Sequence, residues 1–170
     1  GCMARVSRIL GEAAEPAQLI VVSALQGVTN ALVALTDSVD DPGTALAALL
    51  QRHLALAAAI GDAELHAWLE LDFGACATQL ALARAAGWSA ATRAQIHGRG
   101  ELWSARCLQS RLRHDGRDCA LLDARAVLTV RQHDLGAQVD WPRSQAVWAA
   151  VARATRTRCM SWSPASSLAM

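Results

Sequence analysis

Tyrosine is absent from this 170-residue chain, phenylalanine occurs once, at Phe73, and aromatic residues make up only 4% of it. Six tryptophans stand against that scarcity, and the bias to Ala, Arg, Leu and Trp is what GC-rich codons produce. Charge is scarce too. Charged residues are 18% and hydrophobic residues 53%, which excludes a disordered chain. The net charge of +1 gives no reason to expect nucleic acid or an anionic membrane as partner. No apolar run looks long enough to span a bilayer. The richest, His53 to Ile60, is short and lies between Arg52 and Asp62. The opening Gly1-Cys2-Met3-Ala4-Arg5 lacks the charged-then-apolar layout of a secretory leader.

Paired cysteines are missing as well. Cys2, Cys76, Cys107, Cys119 and Cys159 are scattered with no CxxC spacing. An odd, unpatterned set points to a reducing, cytoplasmic setting and not to a disulfide framework, and its spacing does not suit zinc. The five histidines are equally dispersed. His53 and His66 fall on expected helices and read as packed or surface residues, so no metal site is expected.

What is present is organised around Leu19 to Asn30. Leu19-Ile20-Val21-Val22 is a short, continuous, β-favouring run that enters the small polar turn Ser23 to Gly27. Ala31 to Leu35 then continues at helical spacing. Such a run bounded by a turn predicts a strand buried on both faces, and the turn at its carboxyl end is where ligands of open α/β sheets collect.

Around it, Ala4 to Leu10 predicts a short helix ended by Gly11, and Glu12 to Gln18 a loop. The helix from about Gly27 to Ser38 should stop at Asp40-Asp41-Pro42-Gly43. Thr44 is a fair N-cap for an alanine- and leucine-rich helix, Ala45 to Ile60. Ala63 to Ala86 carries a helical apolar face through Leu65, Leu69 and Phe73, and Ser89 caps Ala90 to Ile96. His97-Gly98-Arg99-Gly100-Glu101 reads as a glycine-spaced turn before a helix that Asp115-Gly116 closes. Cys119 to Leu122 predicts a second buried strand, and Leu128-Thr129-Val130 a third. Alternating strands and helices predict an α/β domain with a mostly parallel sheet. About ninety residues of helix between the first two strands then form a large helical insertion, longer than an ordinary crossover.

Three of these stretches, in order, resemble one family. Val21-Val22-Ser23-Ala24-x-x-Gly27-Val28-Thr29-Asn30, Gly100-Glu101-Leu102-Trp103-Ser104-Ala105 and Leu121-Leu122-Asp123-Ala124-Arg125 are similar to elements of aspartate kinases, of the amino-acid kinase family. The Arg52-His53 segment fits the same family's helical region. The resemblance covers about residues 4 to 145, and its detail is similar to aspartate kinase modules fused to diaminopimelate decarboxylase. It implies an incomplete three-layer αβα kinase domain, homodimeric in the intact parent. The implied reaction is ATP- and Mg²⁺-dependent phosphorylation of L-aspartate to 4-phospho-L-aspartate, for lysine, threonine and methionine synthesis. By the same resemblance Ser23 and Thr29 contact aspartate, and Glu101 offers a carboxylate to its ammonium group.

Elementary chemistry agrees with those roles. Forming an acyl phosphate calls for positioning and charge screening more than covalent help from the protein. Ser23 and Thr29 place hydroxyls beside helix N-terminal amides, which favour anions, and Gly27 lets backbone approach a ligand. A plainer reading stands beside it. The hydroxyls would then satisfy turn and cap groups, and Glu101 would be a first-turn acid suited to the helix dipole. Asp123 reads as structural, and Arg111, Arg113 and Arg125 as solvated charge.

The family's Lys-Phe-Gly-Gly-Thr-Ser phosphate loop and Gly-Arg-Gly-Gly-Ser-Asp nucleotide loop do not occur in the sequence, so the catalytic lysine and nucleotide contacts have no counterpart and no turnover is expected. From about Ala146 the sequence turns Arg-, Trp- and Ser-rich without a clear period. Met160 to Met170 can be encoded so that dropping two bases yields Val-Leu-Val-Thr-Gly-Phe-Ile-Ala-Ser-Asp, similar to a family strand. The expected organisation is therefore a partial catalytic domain over 1–145 and a frameshifted tail over 146–170. The competing functions are another amino-acid kinase, such as one acting on glutamate, and a non-catalytic helical interaction module.

Overall fold

A computed structural model describes residues 2–12, 19–38, 41–133 and 136–159. The chain forms two compact units, residues 1–119 and 120–170. The first is helical: α1 (Cys2–Glu12), α2 (Val28–Asp37), α3 (Gly43–Ile60), α4 (Ala63–Ala86), α5 (Ala90–His97) and α6 (Arg99–His114). The second holds the one-turn helix α7 (Ala124–Val127), strands β1 (Val130–His133) and β2 (Gly136–Val139), and α8 (Trp141–Cys159).

Local chemistry sets the helix ends. Gly61 takes a left-handed φ of 82° and donates its N–H to the carbonyls of Ala57 and Ala58, closing α3. One residue on, the Asp62 carboxylate accepts from the Leu65 N–H at 2.9 Å and opens α4. Ser110 donates to the same carboxylate, and these bonds hold Asp62 below the usual carboxylate range. Ser89 caps α5 by accepting from the Thr92 N–H at 3.0 Å. The expected span of α4 matches its observed bounds because both of its termini carry such signals.

The core forms where α3, α4 and α6 meet. Leu46, Leu49, His53, Ala57 and Ile60 face inward from α3, and Leu65, Leu69, Phe73, Cys76 and Leu80 from α4. Trp103 of α6 is fully buried and stacks on Phe73 with ring centroids 3.8 Å apart. His53 lies against both rings and donates from Nδ1 to the Leu49 carbonyl at 2.7 Å. At the edge of this cluster the Asp72 carboxylate accepts from Arg99 Nη1 and Trp103 Nε1, each at 2.7 Å. α2 buries Val28, Leu32 and Leu35. Arginines hold its far end: Arg84 donates to the carbonyls of Leu35 and Ser38, and Arg93 donates to the Thr36 carbonyl and pairs with Asp37.

The expected mostly parallel sheet is not there. Among the described residues the only strands are β1 and β2, an antiparallel pair in register Val130↔Val139 to His133↔Gly136. Residues 19–25 run without a ladder, with Leu19 73% and Val21 89% exposed. Residues 119–123 form no ladder either, and the third expected strand begins only at Val130. A short apolar run fixes the taste for β structure but not the neighbour that a strand requires.

Smaller corrections follow the same logic. α1 continues through Gly11 to Glu12, and α3 starts at Gly43 behind Pro42 without a side-chain cap, so Thr44 does not serve as one. The turn expected over 97–101 shrinks to Gly98 between α5 and α6. α3 is also long and apolar enough to cross a membrane by length and composition, contrary to the expectation from sequence. Its inward stripe is equally what a core helix presents. The loop over 13–18, part of the breaker at 39–40 and the tail from Met160 lie outside the described residues.

In the second unit Asp123 caps α7 by accepting from the Arg125 N–H at 2.9 Å, and the Arg125 guanidinium grips the same carboxylate. Those bonds lower the Asp123 pKa. Ser144 of α8 is buried and accepts from the Thr129 N–H at 2.9 Å.

Two stability predictions follow. Asp72→Ala leaves the buried Trp103 indole N–H without its acceptor and the Arg99 guanidinium with only Gln79 and the residue-72 carbonyl, and should cost about 2–3 kcal/mol in urea unfolding. Burial lowers the His53 pKa below 6.5. The unfolded chain therefore takes up a proton that the folded chain refuses, and stability is lost as pH falls from 6.5 toward the folded value. Urea midpoints at pH 7.5 and 5.5 should differ in that sense, and His53→Met should remove that part of the difference.

Candidate functional site

The turn after residues 19–25 is built on Gly27, whose φ of 80° is left-handed. The Val28 N–H returns to the Leu25 carbonyl at 2.9 Å, and the Ala31 N–H to the Gly27 carbonyl at 3.0 Å. The Gln26 carbonyl is taken by Arg52 of α3, whose Nη1 donates to it at 2.7 Å. The N–H groups of Thr29 and Asn30, in the first turn of α2, have no acceptor among the described residues. No side chain caps this end. Ser23 and Thr29 are both exposed, and among the described residues their hydroxyls form no hydrogen bond. Neither hydroxyl performs the capping or turn-satisfying work of the plainer reading. The site-facing end of α2 thus offers two amides and the nearby hydroxyls, with the partial positive charge of a helix N-terminus.

α6 approaches this turn at its own first residues. A Cβ on Gly100 would stand 2.9 Å from the Ala24 Cβ and 3.0 Å from Val28 Cγ1. Only the missing side chain lets the start of α6 lie on the turn. Glu101 comes next in the chain, half-buried, with no ion pair or hydrogen bond among the described residues. The structure therefore brings the first two sequence motifs together through Gly100. Asp123, the third motif, belongs to the other compact unit and caps α7. Ser104 is buried within α6.

Other chemistry is not assembled here. Burial pushes the Cys76 thiol up to about 11 and the Cys107 thiol to about 12, so neither is a ready nucleophile. Cys76, Cys107 and Cys119 are free. A concavity of about 320 Å³ is lined by Arg131, Gln138 and Trp141 with their neighbours in the second unit, and another of about 60 Å³ by Asp62, Arg106 and Gln109 with theirs. The turn residues line neither. The sequence holds no lysine, its 16 permanently cationic side chains all being arginine, and no Gly-Gly pair. These residues do not fit the nucleotide phosphates as a lysine and a glycine loop would.

Two plant proteins are similar to the chain. It is 35% identical over 122 residues to the bifunctional aspartokinase/homoserine dehydrogenase 1, chloroplastic, of Arabidopsis thaliana, across 66% of this chain and 13% of that protein. It is 32% identical over 138 residues to the bifunctional aspartokinase/homoserine dehydrogenase 2, chloroplastic, of Zea mays, across 76% of this chain and 15% of that protein. The chain is aspartokinase-like. It spans about one seventh of the length of these relatives. No family model matches it, and no solved structure does. The second activity in both names is homoserine dehydrogenase, so the expected link to diaminopimelate decarboxylase gains nothing from them. Both names say chloroplastic, which lends the expected cytoplasmic setting no support.

Sequence patterning picked out Ser23, Thr29 and Glu101 but gave Gly100 no reason beyond its motif, because a close approach between helices has no local signature. Arg52 carried only its place in a matching helix, and the carbonyl it holds was not legible. Gly100→Ala tests the junction. The overlap with Ala24 and Val28 should cost about 1–3 kcal/mol, and Ala24→Gly in the same chain should restore part of it, measured by urea unfolding.

Proposed function

We propose that the first unit is the amino-acid-binding portion of an aspartate kinase catalytic domain. The intact parent transfers the γ-phosphoryl group of ATP to the side-chain carboxylate of L-aspartate. A carboxylate oxygen forms the new P–O bond, the bond to the β-phosphate oxygen breaks, and ADP leaves with 4-phospho-L-aspartate as the other product. ATP, Mg²⁺, a homodimeric parent and a place in lysine, threonine and methionine synthesis belong to this same reading.

The observation that supports it is the close approach of Gly100 to Ala24 and Val28, which brings the first turn of α6, the turn that carries Glu101, against the segment that carries the open donors. A free amino acid needs both. Its ammonium calls for an anion, supplied by Glu101, and its carboxylates call for donors, supplied by the Ser23 and Thr29 hydroxyls and the Thr29 and Asn30 amides. Thr29, Asn30 and Glu101 are held by regular helix, so their backbone needs little ordering on binding. The phosphate-handling half has no counterpart among the present residues, and this chain's contribution is therefore substrate positioning.

Similarity to two enzymes with aspartokinase in their names supports the amino-acid kinase class, and the Glu101 motif supports aspartate over glutamate within it. Calorimetric titration with L-aspartate and L-glutamate is the test. L-Aspartate should bind and L-glutamate should bind more weakly, Glu101→Gln should abolish or strongly weaken binding, and a coupled assay should detect no ADP release from this chain. Equal binding of the two amino acids, or ADP release dependent on L-aspartate, would contradict the reading.

A further inference from the structure

The proposed substrate sets a charge problem that Ser23, Thr29 and Glu101 do not solve. L-Aspartate at neutral pH has two carboxylates and one ammonium, so its net charge is −1, and Glu101 adds another negative charge. Hydroxyls and amides are neutral, and a helix N-terminus offers only about half an elementary charge. Two net negative charges brought together at a half-buried position need a cation.

Three arginines near α2 are committed elsewhere. Arg84 and Arg93 bind carbonyls at its C-terminal end, about 15 Å from the turn for a ten-residue helix. Arg99 is bound to Asp72 and Gln79 on α4. Arg52 is different. It stands at the turn itself, with one Nη1 hydrogen on the Gln26 carbonyl, and among the described residues no other group engages its guanidinium. Gln26 lies between Ser23 and Thr29 in the sequence, so this bond holds the guanidinium on the chain segment that carries both. It is also exposed and open to an incoming ligand.

We propose that Arg52 is a substrate-binding residue that receives one carboxylate of the amino acid, its position set by the bond to the Gln26 carbonyl. The inference rests on the reading given under Proposed function. A guanidinium has five N–H donors in a fixed fork, so one can stay on the carbonyl while a parallel pair faces a carboxylate. Lysine keeps the charge but cannot hold both partners in that geometry.

The experiment is calorimetric titration of the full chain and of Arg52→Gln, Arg52→Lys and Glu101→Gln with L-aspartate and its two monoamides, L-asparagine and L-isoasparagine. Each monoamide lacks one carboxylate charge. Arg52→Gln should weaken L-aspartate binding about ten- to hundredfold, while leaving the affinity for one monoamide, the one lacking the carboxylate that Arg52 receives, nearly unchanged. Arg52→Lys should fall between wild type and Arg52→Gln. Equal weakening of all three ligands means that Arg52 only supports the turn, and it overturns the inference, as does unchanged binding of L-aspartate by Arg52→Gln. Either result leaves the aspartate reading standing as long as Glu101→Gln still weakens binding. Absence of L-aspartate binding by the wild-type chain overturns that reading and the inference with it. Urea midpoints for each variant separate loss of binding from loss of fold, and Arg52→Lys carries the test if Arg52→Gln does not fold.

Discussion

The Asp72 carboxylate is the point on which the first unit turns. It accepts from Arg99 and from the Trp103 indole, residues four apart on α6, and so ties the first turn of that helix to the middle of α4. Gly100 and Glu101 sit between the two tied residues in sequence. Their placement therefore depends on a polar contact on α4, whereas the stacked Phe73 and Trp103 rings supply the apolar area. The charged bridge gives direction and the rings give mass. Without the bridge, burial of Trp103 would still favour docking of α6 but would fix its rotation less tightly.

α2 is arranged around the same junction. At one end its turn is held by Arg52 and covered by the backbone of Gly100. At the other, Arg84 and Arg93 occupy the carbonyls that every helix leaves unsatisfied. The two termini receive opposite treatment. The C-terminal acceptors meet protein cations, while the Thr29 and Asn30 donors have no protein partner among the described residues. The amides left open at the N-terminal end suit the binding of an anion there.

How much of this could be read in the sequence depended on the range of the signal. Helices bounded by local chemistry were legible: Asp62 and Gly87 bracket α4, and Ser89 starts α5. The strands were not. Val21 and Val22 have strong β preference, yet a strand is a relation between two segments, and among the described residues 19–25 has no second segment. The site divides the same way. Ser23, Thr29 and Glu101 stand in recognisable local patterns, while the Gly100 contact joins residues more than seventy positions apart. The Arg52 bond to Gln26 spans 26 positions and leaves no periodic trace. The candidate residues were legible where their patterns were local, and the contacts that join their segments were not.

The arginine grip on the far end of α2 has a mechanical consequence. A short helix bends little over three turns, so it transmits a push much as a rod does. Arg84 belongs to α4 and Arg93 to α5, and both hold the rod's tail, while the turn at its head carries Ser23 and Thr29. α2 is thereby tied to α4 and α5 at its tail and, through Arg52, to α3 at its head, so its place along its own axis is fixed from both ends.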